Sequence, residues 1–227
     1  HRALAGQHPF AVIHMSLSIT WLAALVTAAI PLLYELVLWW TQRQRPGEVA
    51  RTAHAHLRTE WFSAVSAMPG SELLAVQTLR NSLMSATMIA STAAIGLMGV
   101  ASLVATSLQP PLQAGSLLLH ATPRLVMELL LLATLFASLV YSVMAVRYYN
   151  HVGFIVSMPV GSAQRGLWAA SGAVYLQRAG LLYGWGQRHL VLVAPMLVFI
   201  VHPLAGPVAA VMVVVALWGF DRLAPAR

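Results

Sequence analysis

The sequence predicts an all-α integral membrane protein, a four-transmembrane-helix bundle with two cytoplasmic amphipathic helical segments. Three observations carry that prediction. Of 227 residues, 59% are hydrophobic and 8% charged, where a soluble domain carries roughly 25% charge. Four stretches approach or exceed the ~20 apolar residues that cross a bilayer. Arginine gathers in the segments between them rather than spreading evenly. One membrane domain over residues 1–227 accounts for the whole chain.

Residues 1–9 form a short polar lead, and no charged region followed by a short apolar stretch and a small-residue cleavage site is visible, so no signal peptide is expected. The first span covers about 16–40 and closes on Trp39-Trp40, where an aromatic belt belongs. Pro31 predicts a kink within it, and Glu35 is its only acid, one turn before the tryptophans. Residues 41–81 form the first connecting segment. There Ala53, Leu57, Trp61, Ala64, Val65 and Met68 recur at three- and four-residue spacing, the pattern of an amphipathic helix. Pro69-Gly70 breaks it, and Ser71 reads as an N-cap followed by Glu72 in the first turn.

The second span, about 82–108, is rich in small residues. Ser85, Thr92, Gly96 and Gly99 form a helix-packing stripe expected to face the bundle centre. Gln109-Pro110-Pro111 ends it. A third span covers about 125–146 and leads into Arg147-Tyr148-Tyr149-Asn150. The second connecting segment, 147–189, repeats apolar pairs every seven residues at Leu167/Trp168, Val174/Tyr175 and Leu181/Leu182, and reads as a surface helix despite its glycines. The last span, about 190–220, is interrupted by His202-Pro203 and Gly206-Pro207 and closed by Asp221-Arg222.

Topology follows from the arginines. Segments 41–81 and 147–188 hold nine of them and the remaining chain four. The positive-inside rule then places both connecting segments in the cytoplasm and both termini outside. All thirteen basic residues are arginine, without a basic run. The formal charge of +7 therefore reads as topology and lipid headgroup contact, not nucleic-acid binding. The absence of cysteine excludes disulfides, thiolate zinc sites, iron–sulfur clusters and cysteine nucleophiles.

Several of these residues carry a family resemblance. Gln77-x-x-Arg80-Asn81, followed by Met84 and Ala90-Ser91-Thr92-Ala93, resembles the membrane-protein family called domain of unknown function 599. So do Arg58-x-x-Trp61 and Arg147-x-x-Asn150. The likeness covers Ser16 to Arg222. At the start of the last span this chain has Gln187-Arg188-His189-Leu190 in place of an Arg-Gly-Leu-Arg-like sequence. The resemblance implies a polytopic membrane protein and no particular activity.

The candidate site is a polar intramembrane cluster of Glu35, Arg80, Asn81, Arg147 and Asn150, each within a turn or two of the cytoplasmic interface. A carboxylate at that depth needs a cation, and Arg80 or Arg147 is the expected partner of Glu35. The plainer reading of such a cluster is a clamp on helix packing; the functional reading is a cavity that binds an anion or relays a proton.

Nine histidines raise the question of metal or haem. His54 and His56 point about 200° apart on a helix and cannot share an ion. His14, near the outer start of the first span, and His202, in the outer half of the last, are the candidates for bis-histidine haem, which needs matched depth on facing helices. Lone helix histidines more commonly hydrogen-bond a neighbour. Arg124 and Glu128, near His120, read as an i,i+4 ion pair. The ten methionines lack a repeated spacing for copper and read as packing. No nucleophile elbow, phosphate-binding glycine loop, zinc-protease motif or paired catalytic carboxylates occur.

The functional expectation is a non-catalytic accessory or structural subunit of a larger membrane complex, with no catalytic residue, metal or cofactor. Its partners are membrane lipids and either that complex or further copies of the chain. The alternative is a small oligomeric transporter or channel with its polar site at Glu35, Arg80 and Asn150; a third reading is a haem-binding membrane anchor. The Ala/Arg/Leu-rich composition suggests a bacterial cytoplasmic membrane.

Overall fold

The computed structural model describes residues 8–44, 50–113, 115 and 121–222. The fold is all-α, with no strand among those residues. Its helices are α1 (His8–Gln44), α2 (Ala50–Ala67), α3 (Glu72–Gln113), α4 (Pro123–Val156), α5 (Ala163–Val201) and α6 (Gly206–Arg222), with a 3₁₀ turn at Pro203–Ala205 before α6. Five segments are long and apolar enough to cross a membrane: Ser18–Thr41, Glu72–Gln113, Pro123–Val156, Ala163–Val201 and Pro203–Asp221.

The expectation of four spans is therefore corrected to five candidates, and the physical cause is one dipeptide. The ring of Pro203 excludes its predecessor from the helical region, and His202 adopts φ −146, ψ 105. Helix α5 stops at Val201, the chain turns through Pro203–Ala205, and α6 runs back along α5. The stretch 190–220 is thus a helical hairpin. Its reversal is measured by Asp221, whose carboxylate meets the guanidinium of Arg188.

The segment expected as a separate surface helix before residue 190 is instead continuous with α5, which has 39 residues. At 1.5 Å per residue this is about 58 Å, well beyond the ~30 Å of hydrocarbon. Two α5 glycines that weaken the helical reading of the sequence are contact sites for α2. A Cβ on Gly172 would lie 2.6 Å from the ring of Phe62, and one on Gly180 would lie 2.3 Å from the guanidinium of Arg58. Helix propensity lost at those positions is offset by close approach of a neighbouring element.

Helix α2 forms as expected. Of the apolar positions marked by spacing, Val65 is buried and Trp61 packs against the core, whereas Leu57 and Met68 are exposed; Phe62, outside that set, is buried too. The apolar spacing marked the right helix; the notch at Gly172 selects Phe62 as its anchor.

Helices α4 and α5 are the antiparallel centre. Helix α3 packs chiefly on α4, while α1 and α6 pair with each other beside α5. One core joins Phe62, Leu79, Tyr149, Val152, Ile155 and Leu176. A second joins Ala23, Ala24, Met127, Leu131, Met196 and Phe199. Thr122 caps α4 by accepting from the amide of Leu125 (3.1 Å), with Pro123 following, and Ser162 caps α5 through the amide of Arg165 (3.3 Å). Pro31 does not interrupt α1, and α3 continues through Pro110-Pro111 to Gln113.

The turns at the same end are held by polar side chains. Gly70 and Gly161, both at φ +85, supply the left-handed backbone that other residues avoid. Ser71 stands directly before α3, where its carbonyl accepts from the Ala75 amide (2.9 Å), and its hydroxyl turns back to donate to the carbonyls of Val65 and Met68 at 2.8 and 2.7 Å. Glu72 accepts the amide of Val160 (2.9 Å). Arg165 is buried and donates to the carbonyls of Val156, Met158 and Val65, joining the ends of α2, α4 and α5.

Candidate functional site

Arg188 is at the centre of the densest charged network among the described residues. It lies on α5 fourteen residues before the break at His202, on the side that faces α1 and α6. Its Nε donates to Glu35 Oε1 at 2.7 Å, and Nη1 and Nη2 donate to Asp221 Oδ1 and Oδ2 at 2.9 and 2.8 Å. The Tyr34 hydroxyl donates to Asp221 Oδ2, and the Tyr34 ring lies 5.7 Å from the guanidinium carbon. The Arg188, Glu35 and Asp221 side chains are 11%, 21% and 14% exposed, so the network is largely withdrawn from its surroundings. The planar fork of arginine suits this two-carboxylate geometry in a way a lysine ammonium does not.

Aromatic rings collect at the same level. Trp185, Tyr141 and His189 form a three-ring cluster with centroids 5.2–6.2 Å apart. Arg43 lies 3.8 Å above the ring of Trp39.

A cavity of about 480 Å³ adjoins the network between α2, α5 and α6. Arg188 and Asp221 form one wall, and His54 and Arg58 of α2 form another. A shallower hollow of about 330 Å³ lies between α3 and α4, with Arg80 and Asn150 on its wall beside Tyr149 and Ser157.

The expected polar cluster is therefore divided. Glu35 pairs with Arg188, not with Arg80 or Arg147. Arg80 and Asn150 share the hollow between α3 and α4, while Asn81 and Arg147 have exposed side chains outside both cavities. Several arginines lie near the depth of Glu35, and spacing does not choose among them. With 190–220 read as a single span, Asp221 also lay on the far side of the membrane from Arg188. The hairpin brings the two together, and Tyr34, next to Glu35, joins them. The signal that could have exposed this network was His202-Pro203 itself, read as a reversal.

The small-residue stripe is also divided. Gly96 meets α4, where a Cβ would lie 3.2 Å from Leu135, but Ser85, Thr92 and Gly99 are exposed. Arg124 and Glu128 do form the expected pair at 2.9 Å, with Glu128 fully buried. His202 is an exposed residue at the helix break. The side chain of His14, and all of His120, lie outside the described residues.

The family model described as "Protein of unknown function, DUF599" matches residues 22–226. The chain belongs to this family. The match contains the Arg188 network in full and agrees with the resemblance carried by Arg80, Asn81, Arg147 and Asn150. No curated protein and no solved structure matches significantly. The DUF599 assignment thus names the family of the Arg188 junction without naming its chemistry.

Proposed function

We propose that the protein is a non-catalytic accessory or structural subunit of a larger membrane assembly, with α3 as its docking helix. The outward face of α3 carries this reading. Ala86, Ala90 and Ala93 are buried on the opposite face. Outward, Ser85, Thr92 and Gly99 recur every seven residues, and nothing lies within 4 Å of where a Gly99 Cβ would stand. Ser85 and Thr92 already donate to the carbonyls four residues back, at 3.1 and 2.9 Å. The face therefore needs no external hydrogen bond, and its small side chains let a second helix come close in lipid.

Support for the orientation comes from arginine. Arg43, Arg58, Arg80, Arg147, Arg165, Arg178 and Arg188 lie on the α2 side of the molecule, and among described side chains Arg124 alone lies at the other end. We infer that the Arg188 network is at the cytoplasmic face of a bacterial cytoplasmic membrane. With five crossings, α1 begins outside and α6 ends inside, in place of both ends outside.

The test is native mass spectrometry of protein extracted gently from its own membranes, together with a Thr92→Leu/Gly99→Leu variant. A stoichiometric protein partner in the unaltered protein that is lost from the variant is the expected result. A monomer in both samples would overturn the reading. The transporter alternative retains the cavity beside Arg188 in its favour, although Glu35 is separated from Arg80 and Asn150. Solute flux by the purified protein in liposomes, lost in Glu35→Gln, would decide for it.

A further inference from the structure

The cavity beside Arg188 has a polarity gradient along its length. Towards α2 its wall carries His54 and Arg58, with Gly180 and Gly184 opposite; beyond Arg188 and Asp221 the wall becomes Val191, Ala216 and Leu217. On α5 the eleven rises from Gly180 to Val191 span about 16 Å. The apolar end points along the α5–α6 hairpin towards its turn at Pro203–Ala205, the direction of the hydrocarbon in the orientation inferred above. Leu181, Val191 and Phe220 are exposed at the rim, so the cavity opens on the lateral surface of the helices.

The two arginines of this cavity differ in how their donors are used. Arg188 is held by Glu35 and Asp221. Among the described residues no carboxylate forms a salt bridge with Arg58, and no acceptor takes its N–H groups. Yet Arg58 is fixed in place. Its guanidinium lies so close to α5 that a Cβ at Gly180 would sit 2.3 Å from Nη1, 2.4 Å from Cζ and 2.6 Å from Nε. A cation held in a glycine notch, with no acceptor among the described residues, on the wall of a cavity is a preorganised anion receptor. His54 stands one turn away on the same face of α2.

We propose that this cavity binds one anionic phospholipid, with its phosphate on Arg58 and the start of its acyl chains against Val191, Ala216 and Leu217. The volume falls in the range of small-molecule sites and takes a headgroup rather than a whole lipid, so the remaining chain lies along α5 and α6. Charge complementarity selects an anionic headgroup, and the apolar end selects a lipid over a free anion.

The test uses the full-length protein in a zwitterionic detergent, titrated with short-chain phosphatidylglycerol, short-chain phosphatidylcholine or inorganic phosphate. Binding is read by native mass spectrometry and by the shift in melting temperature. Phosphatidylglycerol should bind one per chain, at least ~10-fold more tightly than phosphatidylcholine, which corresponds to about 1.4 kcal/mol. Arg58→Gln should lose that preference and Arg58→Lys should keep part of it. Arg80→Gln, which alters the other hollow, should retain it in full. Gly180→Leu should weaken binding while leaving the Arg58 side chain present, so loss in that variant separates the notch from the charge. Equal protection by inorganic phosphate would show a free-anion site and overturn the lipid assignment. Unchanged preference in Arg58→Gln would overturn the site.

Discussion

Three nitrogens of Arg188 each hold one carboxylate oxygen, and those oxygens belong to two helices, α1 and α6. Removing the guanidinium would leave two largely buried carboxylates facing each other, a change that costs about 3–5 kcal/mol for a buried pair. Arg188→Met should therefore lower the thermal unfolding midpoint in detergent by many degrees, read by circular dichroism. Arg188→Lys should recover only part of the loss, because one ammonium cannot reproduce the fork. A loss below ~1 kcal/mol would mean that the network behaves as a solvated surface pair. At this scale the sequence was half legible. Glu35 beside Trp39-Trp40 announces a carboxylate at an interface that needs a cation, but several arginines satisfy that need on paper. Choosing Arg188 requires the position of α5 relative to α1.

Arg165 illustrates the same limit. In sequence it is one polar residue in a glycine-containing segment, yet it is buried and donates to three main-chain carbonyls, in α2, at the end of α4 and in the turn that follows it. Hydrogen bonds from a charged donor contribute about 1.5–3 kcal/mol each. Arg165→Met should increase amide exchange at the C-terminal turns of α2 and α4, with little change near Phe199. The interaction of α2 with α5 depends on shape. Phe62 occupies the notch at Gly172, and Phe62→Ala should cost about 3–5 kcal/mol as a buried aromatic truncation. Gly172→Leu should release α2 without removing any of its own side chains, measured as faster proteolysis within residues 50–67. Periodicity identified α2 as amphipathic and marked Val65 on its apolar face, but it did not mark Phe62, because helical spacing alone does not say where a facing helix is recessed.

The whole molecule is organised by the reversal at His202-Pro203. The hairpin makes five candidate spans, unites Arg188 with Asp221, and forms the wall of the cavity facing α2. Because the chain contains no cysteine, single cysteines report its topology without background. In membrane vesicles, Leu204→Cys and Thr122→Cys should react with an impermeant thiol reagent from the outside. Gln164→Cys and Ser157→Cys should react only from the cytoplasmic side. Labelling of Leu204→Cys from the same side as Gln164→Cys would rule out the hairpin topology.

Composition and periodicity by themselves determine that this chain is helical and belongs in a membrane. Those properties are sums over many residues, and transfer of apolar side chains from water dominates them. The aromatic boundary at Trp39-Trp40 and the arginine-rich flanks are legible for the same reason. What only the tertiary structure decides is pairing. Which arginine meets Glu35, which residue of α2 enters α5, and whether residues 190–220 cross once or turn back all depend on contacts between distant positions. A single proline-directed break changes those contacts while scarcely altering hydropathy.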